Sequence, residues 1–300
     1  MFPDIKAQVS PSLVAYLVAH MKGGMPATNI EELFRLLIRI AIDASKFARE
    51  RSVDQSMSRI LSRNPAGDIT RRIDREIENH VYEALNQSGI NALIITEESG
   101  MLQAGRENPE YIILLDPLDG SINYIANVPY CSVSIAALPY RGSVSVDDIA
   151  VGVVSEIFRD RYYSFIKGVN AYIDGEPAFK YIVDIHDAVL VYFEEPDLIG
   201  RIYKIWLKLG RPKIRSLGSA SLDIIYTSIG RFKAFIDLRG RLRNVDVAAA
   251  IGFAREVGAY IIDDRGGHVE MPLDRLSNIG SIVVTRSKEV VELLKSHIDH

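Results

Sequence analysis

The sequence has little cysteine and no surplus of positive charge. Cys131 is the single cysteine in 300 residues, so no intramolecular disulfide can form, and neither a disulfide scaffold nor a cysteine-rich metal site is available. That absence predicts a reducing, cytoplasmic setting. Lys and Arg together number 35 against 39 Asp and Glu, a formal net charge of −4. Binding to a phosphate backbone calls for a strongly basic face, so nucleic acid is excluded as a partner. Long apolar runs are missing too: Leu13 to Ala19, with Tyr16 inside it, is the longest near the start, whereas a spanning helix needs about 20 apolar residues. Pro3, Asp4 and a weakly basic start argue against a signal peptide. No internal repeat, low-complexity tract or heptad array is present.

What is present suits a globular protein. Apolar residues make up 48% of the chain, enough for one large domain or two tightly packed halves. Gly23, Gly24 and Pro26 set residues 1–28 apart as an N-terminal extension. The spacing of Leu33, Leu36, Leu37, Ile40, Ala44 and Phe47 predicts a helix capped by Asn29 and running to about Arg51. Ile73, Ile77, Val81 and Leu85 predict a second helix beside it, ending near Gly89. Short β-branched runs then predict strands over 92–96, 111–115, 132–138, 149–155 and 161–166. The second half alternates strand 188–193, helix 196–209, helix 219–229, strand 234–238, helix 245–257, strands 259–262 and 282–285, and helix 288–298. The class is α/β with layered helices and sheets, and Gly168 to Lys180 is the expected seam between a half at 29–178 and a half at 179–300.

Two of these strands end in acidic clusters, Glu97-Glu98-Ser99 and Asp116-Pro117-Leu118-Asp119-Gly120-Ser121-Ile122-Asn123. Carboxylates would gather at one sheet edge, where α/β active sites lie. In the longer motif Pro117 stiffens the chain and Gly120 permits close backbone approach, so Asp116 and Asp119 can face one hard cation. If Ser121 opens a helix, the free N–H groups of Gly120 and Ser121 suit a phosphate oxygen. Each motif alone has a plainer reading: a solvated turn for Asp116 to Ser121, an exposed acidic loop for Glu97 and Glu98, and a helix cap for Asp68 in Gly67-Asp68-Ile69-Thr70, with Asp74 following. An EF-hand is excluded, because Ile122 to Asn127 supply neither the third acidic position nor the terminal Glu.

Taken together the motifs resemble the inositol monophosphatase and fructose-1,6-bisphosphatase superfamily. Five ordered signatures carry the resemblance from Asn29 to the C-terminus: Gly67-Asp68-x-Thr70 with Asp74, Glu97-Glu98-Ser99, the Asp116 to Asn123 stretch, Arg215-Ser216-x-Gly218-Ser219-Ala220, and Asp246-Val247-Ala248-Ala249-Ala250. The resemblance implies an alternating α-β-α-β-α sandwich of the sugar phosphatase type. It also implies two Mg²⁺ ions, three at most, held by Glu97, Asp116, the carbonyl of Leu118, Asp119 and Asp246, with Asp116 shared between them. Ser121, with Asp68 or Glu98 and Asp74, would orient or deprotonate the attacking water. Oxygen ligands leave Mg²⁺ positions for water and phosphate, so in-line displacement needs no covalent intermediate.

Val245 stands where many inositol monophosphatases have Trp, and Ser121 where they have Thr. The Gly67-Asp68 form is closer to the fructose bisphosphatase branch, and Asp237 to Arg243 resembles archaeal members with both activities. In those members the substrate is held by Asp119, Gly120, Ser121, Arg215, Ala220 and Arg239; guanidinium groups suit phosphate or sugar hydroxyls. The expected substrate is a small phosphorylated metabolite, inositol 1-phosphate or fructose 1,6-bisphosphate. A nucleotidase acting on 3′-phosphoadenosine 5′-phosphate and a non-catalytic member of the family are the alternatives. The resemblance further suggests a homodimer or homotetramer, and Li⁺ inhibition, a trait that varies among members.

Overall fold

The computed structural model describes residues 27–64, 69–141, 144–194 and 196–296. The chain opens with helix α1 (Ala27–Arg51), a two-stranded antiparallel ribbon of β1 (Ile60–Arg63) and β2 (Ile69–Arg71), and helix α2 (Arg72–Gln87). There follow β3 (Ala92–Thr96), β4 (Gly100–Ala104), β5 (Tyr111–Asp119), the short helix α3 (Ser121–Ile125), β6 (Ser132–Pro139), β7 (Val151–Glu156), β8 (Tyr162–Ile166), β9 (Asn170–Ile173) and β10 (Glu176–Pro177). The eight strands β3 to β10 form one sheet in the order β10-β9-β8-β7-β6-β5-β3-β4. The rest comprises β11 (Ala188–Tyr192), α4 (Pro196–Lys208), β12 (Lys213–Arg215), α5 (Ala220–Ser228), β13 (Ala234–Asp237), α6 (Asn244–Glu256), β14 (Tyr260–Ile262), β15 (Ile282–Thr285) and α7 (Lys288–Lys295). Its second sheet runs β12-β11-β13-β15-β14.

The layering follows from the two-residue alternation of the strands. On β5, Ile113 and Leu115 face α1 and α2, meeting Leu37, Ala41, Ile77 and Val81. Its neighbours Ile112 and Leu114 face the other way, into a core built with Leu222 and Ile225 of α5 and Val247 and Ile251 of α6. That core is closed by Leu190, Phe235 and Val284 of the second sheet, whose opposite face (Val189, Val191, Ile236) packs on Ile202 of α4 and Leu294 of α7. The result is the α-β-α-β-α stack expected from the resemblance. The middle layer sits very close to the first sheet. A Cβ at Gly252 of α6 would fall 1.9 Å from a ring carbon of Phe165, and one at Gly152 of β7 would fall 2.6 Å from the same ring.

Several local expectations are corrected. Helix α1 begins at Ala27, so Asn29 lies in its first turn rather than at its cap. Strand β5 runs on to Asp119, which puts Asp116 and Asp119 on a strand instead of a turn. Its pairing with β6 shifts register between these two residues, where Pro117 has no N–H to offer the ladder. Strands β1, β2, β4, β9, β10 and β12 were not foreseen; β1 and β12 are exposed throughout and carry no alternating burial signal.

Candidate metal and active site

The site is assembled by register. β3 and β5 are parallel neighbours with Thr96 opposite Leu115, so the residues that follow them, Glu97 and Asp116, emerge side by side. The first turn of α6 supplies Asp246 from the middle layer. Carboxylate oxygens of Glu97, Asp116 and Asp246 lie within 4.8 Å of one another. Leu118, Gly120, Ser121, Asp74, Glu98 and Arg243 line the same cavity. Gly120 has φ +89°, and a Cβ there would meet Gly218 O at 3.0 Å and Tyr130 O at 3.1 Å, so only glycine fits without strain. Asn123 Nδ2 donates to Leu217 O at 2.6 Å and to Tyr130 O at 2.7 Å, tying the Asp116 to Asn123 stretch to the Arg215 to Ala220 stretch.

Burial dominates the electrostatics. It pushes the Asp116 carboxyl well above the usual carboxylate range, and the neighbouring carboxylates of Glu97, Asp119 and Asp246 push it further. Glu97 and Asp246 are raised by burial as well, against the pull of Arg243. Asp74 is raised to about 7, by burial first and by Glu98 after it. Each of these groups strains against ionisation unless a cation is at hand. Among the described residues, the buried atoms Asp74 Oδ1 and Asp246 Oδ1 accept no hydrogen bond. Convergent carboxylate oxygens, with Asp74 Oδ1 accepting nothing among the described residues and Asp246 Oδ1 engaged only by the Arg243 ion pair at 3.5 Å, are the donor set a hard divalent cation requires, so the residues fit such an ion.

Asp119 behaves differently. Its carboxylate lines the cavity but is turned to the start of α5, accepting from Ser219 Oγ (2.6 Å), Ala220 N (3.0 Å), Ser221 N (2.8 Å) and Ser221 Oγ (2.5 Å). The free N–H groups of a helix start attract it there. Ala220 thus touches the site through its amide. The two arginines lie outside the cavity lining. Arg215 is exposed and donates from Nη1 to Ile214 O at 2.7 Å. Arg239 is part-buried: Nε and Nη2 grip Asp237, Nη1 donates to Glu194 Oε2 at 2.8 Å, and the guanidinium lies 4.5 Å from the Tyr192 ring centroid. Glu98 Oε2 accepts from Thr70 Oγ1, and its carbonyl from Arg75 Nη2 at 3.2 Å. Asp68 lies outside the described residues.

The sequence model of the inositol monophosphatase family matches residues 29–299. The chain belongs to the inositol monophosphatase family. The family is one of metal-dependent phosphatases, and this member is accordingly a phosphoric ester hydrolase. An inositol-1-monophosphatase of Aeropyrum pernix is 30% identical over 276 residues, which cover 88% of this chain and 97% of the relative. A fructose-1,6-bisphosphatase/inositol-1-monophosphatase of Thermococcus kodakarensis is 26% identical, over 79% of this chain and 86% of its own. Among solved structures, a Pyrococcus horikoshii protein described as similar to inositol-1 monophosphatase superposes with a TM-score of 0.72, at 23% identity, over 90% of this chain and all of that one.

Within this inositol monophosphatase fold, two charged groups escape the motifs, Arg243 in the cavity lining and Asp223 outside it. Arg243, three residues before Asp246, places Nη2 2.6 Å from Glu97 Oε1 and Nε 3.5 Å from Asp246 Oδ1. In sequence it is one arginine of several in Arg239 to Arg243, with nothing to set it apart. Asp223, buried on α5, accepts from Tyr130 Oη and Tyr192 Oη at 2.8 Å each, and burial raises its carboxyl to about 7. Through the Tyr192 hydroxyl it anchors the ring on which Arg239 lies.

Proposed function

We propose that this chain is a Mg²⁺-dependent phosphomonoesterase that hydrolyses inositol 1-phosphate, fructose 1,6-bisphosphate or both. The observation that carries the reading is the convergence of Glu97, Asp116 and Asp246 in one buried cavity of an inositol monophosphatase fold. Glu97, Asp116, the Leu118 carbonyl, Asp119 and Asp246 would hold two Mg²⁺ ions, three at most. Bound there, the ions supply acidification of water and neutralisation of phosphate charge. The protein's own part is the proton. Asp74 has one oxygen committed to the amide of Arg71 at 2.7 Å and the other uncommitted among the described residues. With Ser121 beside it in the cavity lining, it takes the proton of the attacking water. The water oxygen bonds to phosphorus, the bond from phosphorus to the ester oxygen breaks, and the leaving alkoxide takes a proton from solvent water while Asp74 returns its own to solvent, giving alcohol and inorganic phosphate.

The names of the two archaeal relatives, one an inositol-1-monophosphatase and one carrying both activities, support this choice of substrates over a nucleotide. The same reading carries a cytoplasmic setting, on the single cysteine, and a homodimer or homotetramer, on family resemblance alone. No helix among the described residues is long and apolar enough to cross a membrane. The test is phosphate release with Mg²⁺ from inositol 1-phosphate, fructose 1,6-bisphosphate and 3′-phosphoadenosine 5′-phosphate, with Li⁺ added in parallel. Turnover of either of the first two, lost in Asp116→Asn, is the expected result. Release from the nucleotide alone would reassign the substrate, and release from none would remove the proposal.

A further inference from the structure

Six carboxylates line the cavity (Asp74, Glu97, Glu98, Asp116, Asp119 and Asp246), and Arg243 is the one basic side chain among its described lining residues. The arginine is not a surface group that has folded inward. Its backbone is fixed on both sides: Ile279 N donates to Leu242 O at 2.7 Å, Asn244 N donates to Ser277 O at 3.0 Å, and Arg243 itself bridges Asn278. Its own N–H donates to Asp246 Oδ2 at 2.8 Å. The side chain is 10% exposed, and its guanidinium ties the loop after β3 to the start of α6, elements that come from separate halves of the chain. A guanidinium stays charged at any pH a protein survives, so this is a permanent cation at the centre of the acidic cluster.

Such a charge acts in two opposed ways. It screens Glu97 and Asp246 from each other and from Asp116, which stabilises the cluster. It also occupies oxygens that a divalent ion would use and repels that ion at a few ångströms, where charges in a partly buried site interact strongly. We infer that Arg243 is a built-in counter-cation that competes with divalent metal for Glu97 and Asp246 and so sets how tightly the centre holds its ions. The inference rests on the metal centre proposed above and extends it to a residue outside the ligand set. A weak grip has a use in a hydrolase: the ions remain exchangeable, and the product phosphate is not trapped between them.

The experiment is isothermal calorimetry of Mg²⁺ binding to the full chain in mildly alkaline buffer, for the wild type, Arg243→Gln and Arg243→Lys, paired with thermal melts in chelator and in saturating Mg²⁺. Arg243→Gln is expected to bind Mg²⁺ about tenfold more tightly or better. It should melt below the wild type in chelator, and the gap should close when Mg²⁺ is added. Arg243→Lys, which keeps the charge, should stay near the wild-type affinity. Equal or weaker binding by Arg243→Gln, or a melting gap that Mg²⁺ leaves unchanged, overturns the inference and marks the arginine as merely structural. If Arg243→Gln is recovered only with metal bound, the readout becomes unfolding after transfer into chelator. Slower release than the wild type then supports the inference, and equal or faster release overturns it. A wild type that binds Mg²⁺ yet hydrolyses none of the substrates removes the proposed function and leaves the role of Arg243 intact. A wild type that binds no Mg²⁺ removes the metal centre itself.

Discussion

A carboxylate can take a proton from water when one of its oxygens is uncommitted and its proton affinity lies near neutral. Asp74 meets both conditions, since burial raises its carboxyl to about 7 and Oδ1 accepts nothing among the described residues. Glu98 meets them less well, because Thr70 already donates to Oε2. Replacing Asp74 by Asn, or Ser121 by Ala, should therefore lower kcat by roughly 10²- to 10⁴-fold while KM and Mg²⁺ binding change little. Bound cations draw the carboxyl down from 7, so the wild-type rate should rise with pH along an acid limb centred at or below that value. Steady-state kinetics across pH check both points. A variant of Asp74 that keeps full kcat, or that loses it only through weaker Mg²⁺ binding, would move the base elsewhere.

At the scale of elements, helix α6 decides where Asp246 stands. It is buried from Asn244 to Ala254, and where it meets the first sheet it presents the small Ala249 and Gly252, so close to the sheet that the ring of Phe165 fills the space a Cβ at Gly252 would take. Gly252→Ala should force the ring or the helix outward, costing about 1–3 kcal/mol of stability and shifting Asp246 away from Glu97 and Asp116. Chemical denaturation reads the first effect and Mg²⁺ calorimetry the second. An alanine variant with unchanged stability would mean that the ring yields freely. This dependence is invisible in sequence, where an alanine-rich helix is simply a good helix. The elements with strong periodicity were legible: Ile73, Ile77, Val81 and Leu85 marked α2, and the β-branched runs marked β3, β5 and β6. The exposed strand β1, its three-residue partner β2 and the edge strand β12 were not, because β1 and β12 are exposed throughout and β2 is too short to show a period. The acidic motifs were legible one by one. Their meeting was not, since the register of Thr96 opposite Leu115 and the depth of α6 are set by packing across the whole chain. Arg243 was lost for the same reason: its importance lies in what it touches.

The molecule as a whole carries its carboxylates in the folded state at a cost that depends on pH. Asp74 and Asp223 are each raised from an ordinary 3.8 to about 7, and Glu97, Asp116 and Asp246 are raised too, in every case chiefly by burial. Between about pH 4 and about pH 7 the folded chain therefore keeps protons that the unfolded chain has released, and its stability falls as the pH rises through that window. Divalent metal reverses the sign at the cavity, because it favours the ionised carboxylates and must displace the protons that burial keeps on them; the stability it adds grows as the pH rises through the raised folded values and is lost as the pH falls below them. At a hundred times its dissociation constant, one ion contributes about 2.7 kcal/mol by mass action, or a rise in Tm of roughly 5 °C for a chain of this size. Thermal melts should thus show Tm declining from mildly acidic to neutral pH in chelator. In Mg²⁺ the Tm should be flat or rising over the same range, with the Mg²⁺-induced shift largest at the alkaline end. Asp116→Asn should abolish most of that shift, while Asp223→Asn, away from the cavity, should keep it and lessen only the decline in chelator. A Mg²⁺ shift of the same size at every pH would mean that the ion binds outside the buried carboxylates.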